Sequence, residues 1–533
     1  MSKALENFRE YLLNLLEVLP ILSSEKIESS CRISGNKSYR SIRFYEENVD
    51  ILLTLADVSR LIASDEVFPK FVFKERDGDN LVLALSSIIE FDNDHDDKDY
   101  EQSDEIIENI LSLNSNFRFW GGIPFESDFA GKKIFLPFME LTLRKREGEG
   151  AGVETGENFH FSVSMQVLHV SHVSQETEIN VDEGDANNYL FQKFKEKINE
   201  IIGAIGIITT TKDNNLNLNL NIDDSVDFSI KEIIPSKEKW RDEIINFKES
   251  ARKDERFLKV VLAKRVLLES NSSRSKSINF LKIFEKIFRG SYYDGLLERS
   301  YIIIWNFDKA KYFVSVSPER LFCLKDKKIF TEAIAGTVSA SASASASADE
   351  LDKDFTMKDI EEHKLVVLRV EEVLDEVVGR DNWKRVGYLD RLRLKKLHHL
   401  YSRFEATIAS EGKNELDNIK KLLMKMHPTP AVCGYPKNLA IRFLEQNRLF
   451  KRELYASALG YFNRECAEFA VGIRSALLVG DSDKVYLFAG AGIVRKSDPD
   501  KEWQETEEKL ESIKQFIFFR KDVDYQSHYI LED

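Results

Sequence analysis

The chain has 533 residues, 43% of them hydrophobic, 11% aromatic and 31% charged. That is more chain than one compact core usually needs, with the composition of a folded protein rather than a disordered one. A formal charge of −15 argues against nucleic acid or an anionic membrane as a partner, so an anionic ligand would require a local cluster of positive groups.

The N-terminus reads as a packing helix, with Leu5, Phe8, Leu12, Leu15 and Leu19 at helical spacing between Glu6, Glu10 and Glu17. Those acids do not fit a signal or transit peptide, and no apolar run approaches the ~20 residues that span a bilayer. The expected location is the cytoplasm, where the scattered Cys31, Cys323, Cys433 and Cys466 read as reduced thiols. From about 30 to 235 the pattern favours strands at 51–55, 71–73, 81–85, 134–141 and 159–172, rich in β-branched and aromatic residues. Helices are expected at 105–113 and 186–205, the second ending around Gly203 and Gly206. Leu216, Leu218, Leu220 and Ile222 then alternate with Asn as in a half-buried strand.

Asp92, Asp94 and Asp96 imitate the start of a calcium loop, but Asp97 stands where its glycine belongs and Ser103 where its bidentate glutamate belongs. A solvated acidic loop is the better account. Gly490-Ala-Gly492 lacks the third glycine of a dinucleotide fingerprint. Five Ser-Ala repeats over 339–348 read as a flexible linker. They lead into a long helix expected over 349–380, with Leu351, Phe355, Leu365, Leu368 and Val373 toward a core. A last helix, 500–519, carries Leu510, Ile513 and Ile517 on one face.

Eight motifs then occur in a fixed order. They are Phe257-Leu-Lys-Val-Val-Leu-Ala-Lys-Arg265, Ser317-Pro-Glu-Arg320, Thr331-Glu-Ala-Ile-Ala-Gly-Thr337, Glu361-Glu-His-Lys364 and His427-Pro-Thr-Pro-Ala-Val-Cys-Gly-Tyr-Pro-Lys437. Gly472-Ile-Arg-Ser-Ala-Leu477, Ala489-Gly-Ala-Gly-Ile-Val494 and Glu502-Trp-Gln-Glu-Thr506 complete the set. In these motifs the stretch from about 235 to 521 resembles the chorismate-utilising family of isochorismate, anthranilate, aminodeoxychorismate and salicylate synthases. Trp120-Gly-Gly-Ile-Pro-Phe125 extends the resemblance to the N-terminal half of isochorismate synthases.

The resemblance implies an α+β fold, an α/β sandwich of large, mostly antiparallel sheets packed together with helices outside. A strand-rich part over 1–235 would be fused to a chorismate-binding part over 236–525. It implies an isochorismate synthase, a Mg²⁺-dependent isomerase acting on chorismate, a small-molecule substrate, with no glutaminase subunit, nucleic acid or membrane as partner; a salicylate synthase with pyruvate elimination and a non-catalytic chorismate-binding homologue are the alternatives. The longer N-terminal half tilts the pathway toward menaquinone rather than a siderophore. Lys259 stands where ammonia-using anthranilate enzymes carry glutamine, and Ala335 where aminodeoxychorismate synthases carry lysine. Ala431 aligns with a threonine in relatives that go on to eliminate pyruvate as salicylate synthases do.

By the same resemblance Lys259 is the base and Glu319 the acid on opposite sides of the ring. The base role requires a lysine destabilised from its reference value of about 10.4, and the acid role a carboxyl raised by burial. Glu362 and Glu505 are the implied Mg²⁺ ligands. Arg474, Tyr455 and the backbone of Gly490 to Gly492 would hold the enolpyruvyl carboxylate. Lys509, His399, Gly336 and Thr337 would stand near the ring and its substituents. Without the motifs, Lys259 reads as a strand lysine facing solvent, Glu319 as a turn residue, and Glu505 with Lys509 as an exposed helix salt bridge. The Ser-Ala run stands where relatives carry an arginine-containing turn, and Ser457 where they usually have glycine.

Overall fold

Alternating apolar and β-branched stretches form twenty strands among the described residues, all paired antiparallel. The computed structural model describes residues 3–18, 27–34, 37–63, 69–77, 80–92, 100–126, 132–145, 158–172, 183–210, 228–270, 280–292, 299–308, 311–339, 355–393, 397–408 and 415–517. In chain order come α1 (Lys3–Val18), β1 (Ile27–Ser34), β2 (Lys37–Thr54), α2 (Leu55–Ala63), β3 (Lys70–Lys74), β4 (Leu81–Asp92) and α3 (Tyr100–Leu113). Next are β5 (Phe119–Ile123), β6 (Lys133–Lys145), β7 (Asn158–His172), α4 (Glu183–Thr210), β8 (Phe228–Ile234), α5 (Lys237–Lys253) and β9 (Lys259–Ser270). Then follow α6 (Phe280–Tyr292), β10 (Tyr301–Asp308), β11 (Lys311–Ser317), β12 (Arg320–Lys325), β13 (Lys328–Ser339) and α7 (Met357–Val378). The order continues with β14 (Trp383–Arg393), β15 (Leu397–Thr407), α8 (Glu415–Met426), β16 (Gly434–Tyr435) and α9 (Lys437–Gln446). Last come β17 (Ala458–Phe462), β18 (Ala467–Val471), β19 (Ser475–Val479), β20 (Lys484–Ile493) and α10 (Pro499–Ile517).

Two hydrogen-bonded series share β6. One runs β1–β2–β7–β6–β4–β3–β10–β11–β19–β20–β9–β8, the other β6–β5–β17–β18–β12–β13–β15–β14. Residues 139–145 of β6 pair with β7, and its residues 133–135 pair with β5 on the same side. The junction requires glycine: Gly121 has φ +135°, and a Cβ there would lie 2.2 Å from the Lys133 carbonyl oxygen. Between the two series Phe71 and Phe73 meet Trp120 at ring distances of 5.7 and 6.0 Å. On the opposite face of the first series Phe8, Phe194, Phe284 and Leu510, from α1, α4, α6 and α10, close a second core over Val72, Leu83 and Ile302. Full burial of each such side chain contributes about 1.5–3 kcal/mol. The antiparallel sheets with helices outside agree with the expected α+β sandwich.

Several elements differ from expectation in extent. Helix α4 runs through Gly203 and Gly206 to Thr210, because Leu190, Phe194, Ile198, Ile201 and Ile205 keep one apolar face on the core. A helical glycine costs about 1 kcal/mol, less than that face contributes. Helix α7 starts at Met357 instead of 349, where Thr356 and Asp359 form a reciprocal capping box, and it stops at Gly379 with φ +87°. Its core face is Val366, Val367, Val370, Val373 and Leu374, whereas Leu368 is 42% exposed, Leu365 only half-buried, and Phe355 precedes the helix. The strand expected at 51–55 ends at Thr54, and Leu55 opens α2. The expected 214–222 strand, the Ser-Ala run beyond Ser339, Asp94, Asp96, Leu19 and Leu351 lie outside the described residues. Cys323, Cys433 and Cys466 are free thiols, and no described helix is long and apolar enough to cross a membrane.

Candidate functional site

Lys259 opens β9 and is completely buried, flanked by Val260 and Val261, with its ammonium 3.0 Å from Glu362 Oε1. Glu362 projects from α7, one turn before Val366. The two meet beside β20, where Gly492 pairs with Val261 and Gly490 with Ala263. A Cβ on Gly492 would sit 2.0 Å from Glu362 Oε1 and 2.8 Å from Lys259 Cε, so this strand must lack a side chain there for the carboxylate to be housed.

Around Glu362 gathers an acidic cluster from two helices. Lys358, one turn earlier on α7, places its ammonium 3.4 Å from Glu362 Oε2, 3.1 Å from Glu502 Oε1 and 3.7 Å from Glu505 Oε2. Burial alone would raise the Glu362 carboxyl, but the ammoniums of Lys259 and Lys358 outweigh it and hold it below the usual carboxylate range. Burial likewise raises Glu502, with Glu505 and Glu362 adding to it against the pull of Lys358. Glu505 also accepts from Lys509 Nζ at 2.7 Å, and the same ammonium donates to the Gly490 carbonyl at 2.9 Å. No three His, Cys, Asp or Glu side chains among the described residues stand ready to grip a metal ion between them; here the Lys358 ammonium occupies the space among the carboxylates. The donor set itself, hard carboxylate oxygens from two helices, suits magnesium.

Glu319 lies on the turn between β11 and β12, 4% exposed. Burial pushes its carboxyl up to about 8; Glu332 adds to this, against a hydrogen bond from Thr429 and the ammoniums of Lys259 and Lys509. Thr429 Oγ1 donates to Glu319 Oε1 at 3.3 Å. The Glu319 carboxyl is therefore protonated at neutral pH, within the electrostatic reach of Lys259.

His399 on β15 ties the remaining residues together. Arg474 Nη2 lies 2.7 Å from its Nε2, and Thr337 Oγ1 lies 3.2 Å from its Nδ1. Burial, Arg474 and Lys509 hold the imidazole well below its ordinary value, hence neutral. A guanidinium can only donate, so Nε2 accepts and Nδ1 carries the proton. Gly336, beside Thr337, sits at a bulge of β13 with φ +75°, where a Cβ would come 3.0 Å from Asp359. Arg474 itself has φ +48°, and burial lowers its guanidinium to about 10. Tyr455 stacks on Phe488 at 5.5 Å, and a Cβ on Gly490 would meet its hydroxyl at 2.7 Å.

The structure thus brings Lys259, Glu319, Glu362, Glu505, Lys509, Gly490, Gly492, Tyr455, Gly336, Thr337, His399 and Arg474 around one place. Ala431 lies two residues beyond Thr429 in the same loop, half-buried, with no polar tie to the group. Sequence reasoning missed Lys358, Glu502 and Thr429 as members. The i, i+4 spacing of Lys358 to Glu362 and the i, i+3 spacing of Glu502 to Glu505 carried a signal for the first two. A separate cavity of about 300 Å³, lined by residues including Trp240, Leu262, Phe450 and Arg452, includes none of these groups.

A family model described as chorismate binding enzyme matches residues 29–518. The chain is 36% identical over 208 residues to the chloroplastic isochorismate synthase of Catharanthus roseus, covering 37% of this chain and 33% of that protein. It is 36% identical over 211 residues to the isochorismate synthase MenF of Escherichia coli, covering 40% and 47%. The matched stretches thus span about a third to a half of these curated relatives. The solved structure of the menaquinone-specific isochorismate synthase MenF from Escherichia coli superposes with a TM-score of 0.68 at 23% identity, over 97% of this chain and all of that one.

Proposed function

Starting from a chain that belongs to the chorismate-binding enzyme family, we propose that it is an isochorismate synthase, converting chorismate to isochorismate by adding water at C2 and losing the C4 hydroxyl. The observation that carries this reading is that a buried lysine and a buried, protonated carboxyl, Lys259 and Glu319, lie within electrostatic reach of each other. Water addition at one ring carbon and hydroxide loss at another need a base and an acid working together. Lys259 acts from its amine form: the proton its ammonium shares with Glu362 must leave first, and the amine then takes a proton from the attacking water. Glu319 gives its proton to the departing C4 oxygen, which leaves as water, so one water enters and one leaves.

The remaining residues bind and orient a dicarboxylate within an acidic protein. Arg474 offers its fork to the enolpyruvyl carboxylate with Tyr455 and the backbone of Gly490 to Gly492, where absent side chains allow close approach. Neutral His399, with its proton on Nδ1, accepts from Arg474 through Nε2 and so orients that guanidinium, while Thr337 and Gly336 face the ring. Glu362 and Glu505, with Glu502 beside them, would hold Mg²⁺, which when bound supplies positive charge for the ring carboxylate. Ala431, in place of a threonine, favours release at isochorismate over pyruvate elimination. Menaquinone synthesis is the pathway this reading favours.

The test is incubation of purified protein with chorismate and Mg²⁺, with chromatographic separation of isochorismate, salicylate and pyruvate. Isochorismate alone, lost in Lys259→Ala and on chelation, supports the reading. Salicylate with equimolar pyruvate would replace it with a salicylate synthase.

A further inference from the structure

Arg76 follows β3, far from the motifs in sequence, yet its side chain is almost fully buried beside the turn that carries Glu319. One arm of its guanidinium, Nη1, donates to the Pro318 carbonyl at 2.7 Å and to Glu332 Oε1 at 2.5 Å; Nη2 donates to Glu332 Oε2 at 2.8 Å. Glu332, on β13, in turn accepts from the Arg320 backbone N–H at 2.7 Å and from the Tyr401 hydroxyl at 2.8 Å. The carbonyl just before Glu319 and the amide just after it are therefore both held by one ion pair. Ser317 Oγ accepts from the Glu319 N–H at 3.2 Å, and the Glu319 carbonyl accepts from Val471 at 3.0 Å, which pins the rest of the turn.

Burying a guanidinium and a carboxylate costs several kcal/mol per ion, so a buried pair is weak support for stability as such. What a bidentate fork supplies is fixed geometry. Resting on the reading of Glu319 as the acid, we propose that Arg76 and Glu332 are positioning residues for it, a clamp reaching from the N-terminal half of the chain to set where that carboxyl points. Glu332 also has an electrostatic part. The groups acting on Glu319 are Glu332 from β13, Lys259 from β9, Lys509 from α10, Tyr455 and the Thr429 hydroxyl, and among them Glu332 is the anion that opposes ionisation.

The experiment compares Arg76→Lys, Arg76→Gln and Glu332→Gln with the parent in full chorismate kinetics across pH. It also follows the protonated carboxyl band of Glu319 by infrared difference against Glu319→Gln, a readout that needs no turnover. Arg76→Lys keeps the charge and loses the fork; its kcat is expected to fall about tenfold or more with KM within about twofold. Glu332→Gln is expected to move both the alkaline limb of kcat and the carboxyl band midpoint to lower pH, a shift that loss of packing alone does not produce. Parental kcat in Arg76→Lys, or an unmoved band in Glu332→Gln, would overturn the clamp. Should Arg76→Gln fail to fold, the milder lysine variant and the infrared band still decide. If the parent makes no isochorismate, the functional reading falls separately, and the band alone decides whether Glu332 acts on Glu319.

Discussion

Glu319 sits where burial raises its carboxyl to about 8, so a reaction that needs its proton slows as pH rises through that value. The alkaline limb of the kcat profile is expected there. The same shift governs stability: the folded state holds this proton more tightly than the unfolded chain, so the contribution is full below the ordinary carboxyl value and lost as pH rises through about 8. Glu319→Gln has no proton to lose. Its thermal midpoint relative to the parent should rise between about pH 5 and 9 while turnover disappears, measured by calorimetry at both ends. Gly492→Ala drives a methyl into Glu362 and Lys259; we expect kcat to fall on the order of 10²-fold with the fold retained, checked by circular dichroism beside kinetics. These residues were legible because they stand inside contiguous motifs. Arg76 lies outside every motif, and Glu332, although inside Thr331–Thr337, showed no role there, since the partners of each are brought together only by pairing of strands remote in sequence, and nothing local marks a buried arginine.

Two helices, α7 and α10, set the acidic cluster, and their spacing explains its contents. Residues 358 and 362 share one face of α7, and residues 502, 505 and 509 one face of α10, so Lys358 is carried into the middle of three glutamates. Lys358→Met leaves those carboxylates without their common counter-charge. The variant should melt lower than the parent without divalent ions, regain stability with Mg²⁺, and bind Mg²⁺ more tightly by titration calorimetry; unchanged or weaker affinity would show that the ammonium does not compete there. Helix positions were legible from 3.6-residue periodicity, but orientation and ends less so. Leu368 looked like a core residue because leucine is apolar, yet the row of Val366, Val370 and Val373 faces the sheet instead. The start of α7 is decided by the Thr356–Asp359 box rather than by the apolar pattern, and the glycines of α4 are tolerated because tertiary burial outweighs propensity.

At the scale of the molecule, the two parts of the chain are interleaved by hydrogen bonds. Strand β3 pairs with β10 and β5 with β17, both across residue 235. Residues 236–533 expressed alone would expose three bare strand edges, on β10, β17 and β9, and the Phe313–Leu459 side of a core that Phe71, Phe73 and Trp120 complete. Such a fragment is expected to be insoluble or aggregated, whereas the full chain should unfold in one cooperative transition by calorimetry. Strand content was readable from β-branched and aromatic runs, but the junction at β6 was not, because one strand changing neighbours along its length leaves no periodic trace. The central claim is that water enters at C2 as the C4 hydroxyl departs, and running the reaction in oxygen-18 water, with mass spectrometry of the product, tests it most directly. Isochorismate carrying a single heavy oxygen, located at C2, is the predicted result; isochorismate without the label, its C4 oxygen merely transferred, would contradict the account.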